Sequence, residues 1–399
     1  MDSTFFKNNR DQTIRVTNGG LVVLSAYTLL QRGNDAAFSF EQEASFWYLT
    51  GINHPDWWVI IDGQRGYSWL VAPDVAAVRQ IFDGSLSADE AKRISGVNSV
   101  VTRDEGEKLL RDLSKKHSIV YTLLEDPNAG HYDFTLNPAP KKLWNTLDRI
   151  FNEVRDCRLD IARLRAIKQP VEIAAIKKAI TLTRKAFDDV KQRLPELKNE
   201  YEVEAEFTYS FRKSGASGHA YDPIVASAGN ACTLHYCANN ARLKNNSLLL
   251  IDIGARVGGY SADITRTYAV GTPTKRQIQV CQAVERAHAA IISLLRPGLG
   301  VVEYHQQVDV IMKSALSDLG LLKNDDDYRR YFPHAISHGL GIDAHDPLGR
   351  PDEFRPGMVL TVEPGIYIPE EQIGVRIEDD ILITDTGHTN LSGALSTSL

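Results

Sequence analysis

Two aspartates lie inside apolar runs that otherwise resemble buried strands, and they limit the possible folds more than any other feature of the chain. Asp252 lies in SLLLIDIG and Asp263 in YSADITRTYAV, with Val257, Gly258 and Gly259 between them. A two-residue hairpin loop at Val257–Gly258 would place the aspartates directly opposite each other. A loop at Gly258–Gly259, which has the more favourable turn chemistry, would make them a diagonal pair on one face, whereas a three-residue loop would break this parity. The spacing favours two carboxylates on one face of an antiparallel hairpin.

A second pair of acids repeats this arrangement. Glu363 lies in VLTVEPG and Glu378 in VRIEDD, and their midpoint falls between Glu370 and Glu371. The PEEQ stretch around that midpoint is polar and suits a turn. We therefore expect Glu363 and Glu378 to face each other across adjacent strands.

Four carboxylates that project into one apolar region need a compensating charge. They repel each other, and burial disfavours the charged form of each. One solution pairs the acids with nearby bases, for which Arg266 and Arg376 are available, and leaves Asp379 and Asp380 in a solvated turn. The alternative is a pair of divalent cations bridged by shared carboxylates, which would also activate water. The matching geometry of the two acid pairs favours metal.

Histidines are concentrated in a single short segment, PHAISHGLGIDAHD. His334, His338 and His345 lie within twelve residues, and the glycines of GLG would let backbone approach closely. His338 would add a nitrogen ligand to the carboxylate set. His235, in TLHY, lies on another predicted strand.

Other catalytic classes match the sequence poorly. The nearest approach to a G-x-S-x-G elbow is GYSAD, which has Asp263 in place of the second glycine. Neither a phosphate-binding G-x-x-x-x-G-K-[ST] nor a G-x-G-x-x-G motif occurs, and the adjacency of Ser337 and His338 does not make a triad. A net charge of −6 gives no reason to expect nucleic-acid binding.

Cysteine usage and hydropathy favour a cytoplasmic protein without a membrane partner. Four cysteines in 399 residues do not form a disulfide framework. Cys232 and Cys237 flank a histidine in CTLHYC, which we interpret as an alternating strand with small buried thiols rather than as a metal site. The N-terminal MDSTFFKNNRDQ lacks the apolar stretch of a signal peptide, and no run of about eighteen apolar residues occurs.

The distribution of apolar runs predicts two domains. Up to about residue 160, short strands such as DWWVIIDG and YSWLVAP alternate with helices such as TRDEGEKLLRDLSKK, which indicates an α/β domain. Helices are then predicted from Pro170 to about Leu194 and over 200–213, 275–296 and 301–320, with apolar strands between and after them. We place the domains at 1–164 and 165–399 and expect an α+β fold with antiparallel strands in the second.

The motifs IDIGARVGGYSADITRTYAV, HAISHGLGIDAHD, GMVLTVEPGIYI and IGVRIEDDILIT strongly resemble those of the Xaa-Pro peptidases in the pita-bread metallopeptidase family. The resemblance covers about Ile173 to Leu391 and implies a C-terminal pita-bread catalytic domain behind an N-terminal creatinase-like domain. It implies a dinuclear centre, and manganese is the expected metal, with cobalt or zinc as substitutes. The implied ligands are Asp252, Asp263, His338, Glu363 and Glu378.

The same resemblance suggests roles for residues around the metals. Glu363 would also transfer a proton, His345 would contact the scissile carbonyl, His235 would help to hold the substrate, and His334 would border a proline pocket. FEQEASFWYLTGINHPDWWVII resembles the N-domain of aminopeptidase P. We expect this N-terminal domain to act in oligomerisation and substrate access. Phe82, in RQIFDG, stands where relatives often carry a tryptophan that reaches a neighbouring subunit's active site.

The expected activity is hydrolysis of the bond between an N-terminal residue and a following proline. A prolidase restricted to dipeptides is the alternative, with Arg350 of LGRPDEF as a candidate clamp for the substrate carboxylate. A non-catalytic binding module and a creatinase-type amidino hydrolase are disfavoured because all five ligands are present. By analogy with the group, we expect a homo-dimer or homo-tetramer.

Overall fold

The apolar runs of the first third of the chain pair into one mixed sheet. In this computed structural model, which describes residues 1–124 and 134–399, the chain divides into two units, Met1–Leu164 and Arg165–Leu399. The six strands of the first unit's sheet are β1 Leu21–Ser25, β2 Trp58–Asp62, β3 Tyr67–Val71, β4 Ser99–Val101, β5 Ile119–Thr122 and β6 Glu153–Asp156. Their order is β4-β3-β2-β1-β5-β6, in which β1–β2 and β2–β3 are antiparallel and the other pairs parallel. The predicted α/β character is therefore present in these described residues.

Four of the helices in the described part of the first unit begin at a side-chain cap, which Asp2, Glu43, Ser87 and Thr102 provide. The helices of this part are α1 Ser3–Val16, α2 Ala44–Thr50, α3 Ala77–Asp83, α4 Ala88–Ser95, α5 Arg103–Ser114, α6 Ala139–Asp148 and α7 Arg158–Ala166, the last crossing into the second unit. The side chains of Thr102 and Glu105 form a capping box at the start of α5, as its T-x-x-E sequence favours. By contrast, α1 was not predicted; it is capped by Asp2, and it buries Phe5 and Phe6.

Five helices cover the strands of the second unit. They are α8 Pro170–Arg193, α9 Glu200–Lys213, α10 Lys275–Leu294, α11 Val301–Asp318 and α12 Asp326–Tyr331. Pro170 occupies the first turn of α8, where its missing N–H has no intrahelical partner to lose. The main core joins apolar residues of α10 and α11 to those of the C-terminal strands, among them Val284, Met312 and Ile366. No described helix is long and apolar enough to cross a membrane.

Every strand pair in the described part of the second unit is antiparallel. The strands are β7 Gly218–His219, β8 Ile224–Ser227, β9 Ser247–Ile253, β10 Ala255–Val257, β11 Tyr260–Ser261, β12 Ile264–Val270, β13 Val359–Val362, β14 Gly365–Ile368, β15 Ile373–Arg376, β16 Asp379–Ile383 and β17 His388–Asn390. The α+β class expected from sequence is confirmed.

The first acidic hairpin turns at Gly258–Gly259. Both glycines have positive φ, 59° and 86°, which suits a two-residue hairpin loop. In the resulting register Asp252 of β9 lies opposite Thr265 of β12, so Asp252 and Asp263 form the diagonal pair of the two arrangements considered. Gly254, between β9 and β10, lies very close to the other arm of the hairpin. A Cβ on Gly254 would lie 1.7 Å from the Ala262 carbonyl oxygen.

The second acidic hairpin has the predicted register. The β13–β16 ladder pairs Val362 with Asp379, and the β14–β15 ladder pairs Gly365 with Arg376. The two ladders therefore share one register, with a short gap between them. Glu363 and Glu378 lie in that gap, opposite each other. A 3₁₀ turn over Pro369–Glu371 reverses the chain.

One local prediction was wrong. CTLHYC does not form a strand, because Ala228–Cys232 is a 3₁₀ helix and the following residues are irregular; Cys232 is half-buried and Cys237 exposed. His235 therefore lies on a loop. The alternative that left Asp379 and Asp380 in a solvated turn is excluded, because both residues begin β16, where they are 1% and 0% exposed.

Candidate metal centre

The five predicted ligands, which come from the two acidic hairpins and the histidine segment of the second unit, lie close together with His345. Three overlapping groups of donor atoms, each within 4.8 Å of one another, are Asp252–Asp263–Glu378, His338–Glu363–Glu378 and Asp263–His338–His345. The Nε2 atom of His338 lies 3.5 Å from an oxygen of Asp263 and 3.4 Å from an oxygen of Glu363. Asp263, Glu363 and Glu378 come from the breaks in the two hairpins, where the ladders part, whereas Asp252 lies within β9, opposite Thr265.

The His338 ring presents a lone pair to these carboxylates. Its Nδ1 lies 3.0 Å from the Gly339 carbonyl oxygen, a contact that places the proton on Nδ1 and leaves Nε2 unprotonated. Burial, and secondarily the neighbouring His345, lower the pKa of His338 to about 4, so the ring is neutral at pH 7. A lone pair directed at carboxylate oxygens is repulsive unless a cation lies between them.

The side chains around the four carboxylates supply too little positive charge to balance them. Burial, followed by the charge of Asp252, raises the pKa of Asp263 well above its ordinary value, and burial with Asp263 does the same for Glu378. Burial raises the pKa of Glu363 to about 8, although the Arg376 guanidinium opposes the shift. Arg376 contacts only one of the four acids, through its ion pair with Asp252. The oxygen-rich donor set and its excess of negative charge therefore fit a pair of divalent cations.

Hydroxyl groups that were not predicted from sequence hold the acids in place. The Tyr221 hydroxyl lies 2.6 Å from an oxygen of Asp252 and 2.6 Å from one of Asp263. Thr265 donates to Glu378 at 2.6 Å. Thr361 donates to Glu363 at 3.3 Å and also accepts the His338 N–H at 3.1 Å. Thr265 and Thr361 could have been recognised from spacing, because each lies two residues along the chain from an acid; Tyr221 had no such spacing.

The three other histidines that were predicted for the site lie beside this centre. The His345 ring stacks on His338 with centroids 4.0 Å apart. His334 lies with Nδ1 3.5 Å from Glu363, and burial and then Arg376 lower its pKa to about 4. Burial and then His235 lower the pKa of His345, and His235 also acts on His334, so all three face one region.

A chain of hydrogen bonds links His334 to the guanidinium behind the acids. Arg376 donates from Nη1 to the Tyr367 hydroxyl at 2.8 Å, and that hydroxyl lies 2.8 Å from His334 Nε2. Because the guanidinium can only donate, Tyr367 is free to donate its own proton to the imidazole. His334 is thereby held neutral, with its other nitrogen 2.7 Å from the Ala335 carbonyl oxygen.

Two predicted substrate contacts, Arg350 and Phe82, are not tested by the described contacts. Arg350 is exposed, has a backbone φ of 54°, and makes no described hydrogen bond or ion pair with the five donors. Phe82 lies on α3 of the first unit and is 81% exposed. Both assignments remain predictions.

The antiparallel α+β unit and its carboxylate–imidazole cluster define a metallohydrolase. Residues 174–385 match metallopeptidase family M24, and residues 6–121 match the aminopeptidase P N-terminal domain. The chain belongs to the M24 metallopeptidases, a family that uses divalent metal ions.

Similar proteins span nearly the whole chain. The Xaa-Pro aminopeptidase of Escherichia coli is 33% identical, covering 94% of this chain and 91% of its own length, and human Xaa-Pro aminopeptidase 3 is 32% identical, covering 94% and 78%. The solved aminopeptidase P of E. coli in its low-pH form has a TM-score of 0.87 at 30% identity, covering all of this chain and 96% of that one. Proline aminopeptidase P II of Yersinia pestis has a TM-score of 0.84 at 30% identity, covering 100% and 98%.

Removal of metal should make the protein less stable as the pH rises. Folding raises the pKa of Glu363 from 4.5 to about 8, so the metal-free folded state binds more protons than the unfolded state between those values. The free energy of unfolding of the metal-free protein therefore decreases as the pH increases towards 8. We expect the melting temperature of chelator-treated protein to be lower at pH 8.0 than at pH 7.0. This pH range lies above the ordinary pKa of histidine, so unfolded histidines contribute little to the change.

Metal-loaded protein should show a smaller decline, because the cations favour the ionised acids. Glu363→Gln in the metal-free state should reduce the slope, since glutamine does not titrate. Equal slopes for the chelated and loaded wild-type protein, measured by calorimetry, would contradict the assignment.

Proposed function

We propose that the protein is an Xaa-Pro aminopeptidase that removes an N-terminal residue when proline follows it. The observation that carries the proposal is the convergence of Asp252, Asp263, His338, Glu363 and Glu378 on one buried, negatively charged centre. The names of the relatives favour an aminopeptidase over a prolidase restricted to dipeptides. These five residues would hold two divalent ions, with manganese favoured by the oxygen-rich donor set and cobalt or zinc as substitutes.

When bound, the ions supply a water of lowered pKa and polarise the scissile carbonyl. The protein's own groups manage the protons. The bond to proline is a tertiary amide, so its nitrogen must be protonated to leave. Glu363 would take the proton of the attacking water and deliver it to that nitrogen. Its buried carboxyl, 3.5 Å from neutral His334, suits a group that changes protonation state during turnover.

The histidines would bind the rest of the reacting group. His345, stacked on His338, would donate to the carbonyl oxygen as negative charge develops there. His334 would border the proline ring, and His235 would hold the substrate from the facing loop. A free substrate amine would be attracted to the acidic centre, which accounts for exopeptidase rather than endopeptidase action.

The remaining assignments stay predictions of the sequence. Assembly into a dimer or tetramer, with Phe82 or Arg350 contacting substrate, is proposed by analogy with the family. A cytoplasmic location is supported by four cysteines that are all free thiols.

A comparison of substrates tests the proposal. Manganese-loaded protein should hydrolyse an Xaa-Pro-Xaa tripeptide between the first two residues and should leave the matching Xaa-Ala-Xaa peptide largely uncut. Metal analysis of the same sample should give about two ions per chain. Hydrolysis of the Xaa-Pro dipeptide alone would show a prolidase instead, and less than one ion per chain with no turnover would indicate a non-catalytic module.

A further inference from the structure

Glu200, in the first turn of α9, accepts five hydrogen bonds from one irregular segment of the chain. Its Oε1 accepts from the Ser227 N–H at 2.7 Å, the Ser227 hydroxyl at 2.7 Å and the Asn230 side chain at 3.1 Å. Its Oε2 accepts from the Tyr236 hydroxyl at 2.9 Å and the Ala241 N–H at 2.8 Å. The residue is 0% exposed. A buried carboxylate with both oxygens satisfied in this way fixes the donors around it.

The segment held by Glu200 is the one that carries His235. It runs from Ser227 to Ala241 and, after the 3₁₀ helix at Ala228–Cys232, has no regular secondary structure. Tyr236, which binds Glu200, is the residue next to His235. His235 itself is exposed, and no described hydrogen bond fixes its ring. The position of His235 therefore depends on the backbone on either side of it, which Glu200 holds at both ends.

We infer that Glu200 is a positioning residue, which sets the loop Ser227–Ala241 so that His235 faces the substrate. This rests on the proposed function, because it assigns His235 to the substrate site. Glu200 does not contact any of the five proposed metal ligands among the described contacts, so it acts on substrate binding and not on the metals.

A carboxylate is required at this position by the number of donors. Glutamine has one acceptor oxygen, and its NH₂ group would face the Tyr236 hydroxyl and the Ala241 N–H. The Ala241 N–H can only donate, and the NH₂ group of glutamine can only donate as well. Where these two groups meet in a buried site, neither can accept from the other. Glu200→Gln should therefore shift the loop at its Tyr236–Ala241 side, next to His235, while the side chain keeps its size.

The test is a double-mutant cycle with His235. Glu200→Gln should lower kcat/KM for an Xaa-Pro-Xaa tripeptide by about tenfold to a hundredfold, mainly through KM, with metal content unchanged. In a His235→Ala background the same substitution should have almost no further effect, because the group that it positions is gone. Additive losses in the cycle would overturn the inference.

Glu202→Gln is the matched control. Glu202 lies two residues further along α9 and caps the same helix, but it accepts only from Lys198 and Asn199. It should leave kcat/KM near the wild-type value, and a loss equal to that of Glu200→Gln would show a general effect of the helix end. If Glu200→Gln does not fold, Tyr236→Phe replaces it in the cycle, with a smaller loss expected in the same direction. An inactive wild type would instead reject the proposed function itself.

Discussion

Replacement of Glu363 with glutamine is expected to lower kcat on an Xaa-Pro-Xaa tripeptide by about 10³-fold. Glutamine keeps an oxygen near the metals but cannot accept the proton of the attacking water or deliver it to the proline nitrogen. The effect should fall on kcat rather than on KM, because the lost interaction belongs to the proton transfers of the chemical step. Steady-state kinetics under saturating manganese measure it, with metal content determined on the same sample.

The control for this prediction is Glu371→Gln. Glu371 lies in the turn of the same hairpin, where it pairs with Arg276 at 2.7 Å near the surface. Its replacement should leave kcat unchanged. A Glu363→Gln variant that retains metal and works within tenfold of the wild-type rate would show that another group transfers the protons.

Replacement of Asp346 with alanine should reduce the free energy of unfolding by about 3–5 kcal/mol. The Asp346 carboxylate is 2% exposed, lies 2.8 Å from the Lys168 ammonium and also binds the Arg165 guanidinium. Burial opposes its charge, but Arg165 and Lys168 outweigh that effect and lower the pKa of Asp346. Alanine would remove the carboxylate that pairs with both buried cations, although Asp343 would still pair with Arg165. Urea unfolding measures the loss.

This loss of stability should be accompanied by a loss of activity, because Asp346 belongs to the loop that carries His338 and His345, which we propose for the active site. Its N–H donates to the Gly339 carbonyl oxygen at 2.8 Å, and it follows His345 directly. A Cβ on Gly339 would lie 2.2 Å from the Asp346 carbonyl oxygen, so the backbones of Gly339 and Asp346 approach as closely as glycine allows.

Asp112→Ala supplies the comparison for stability. Asp112 pairs with Lys115 on the surface of α5, and both side chains are about 70% exposed, so water already solvates them. That substitution should leave unfolding unchanged within error. An Asp346→Ala protein as stable as Asp112→Ala would mean that the buried cations find other partners.

Local sequence predicted the regular elements well where periodicity and caps agreed. The helices from Pro170 and from Lys275 and the strands of the two acidic hairpins appear close to their predicted positions. The stretch CTLHYC shows the limit. Its alternation of side chains suggested a strand, but Glu200 binds Tyr236 within it and Ser227, Asn230 and Ala241 on either side of it. These contacts hold the segment as a loop, and Glu200 lies in a helix that sequence alone does not connect to it.

The acids at the centre divide in the same way between sequence and tertiary structure. Spacing alone placed Glu363 opposite Glu378, because strand parity and a polar turn leave few registers, and it limited Asp252 and Asp263 to one face. Only the folded chain chose the diagonal pair, since the positive φ of Gly258 and Gly259 moves the turn by one residue. Only the folded chain also brought Tyr221 and the Arg376 guanidinium against Asp252, because these contacts join segments 31 and 124 residues apart. Sequence determined which residues carry the charge and on which faces they lie; tertiary structure decided which of those charges meet, since that depends on long-range packing that no local pattern encodes.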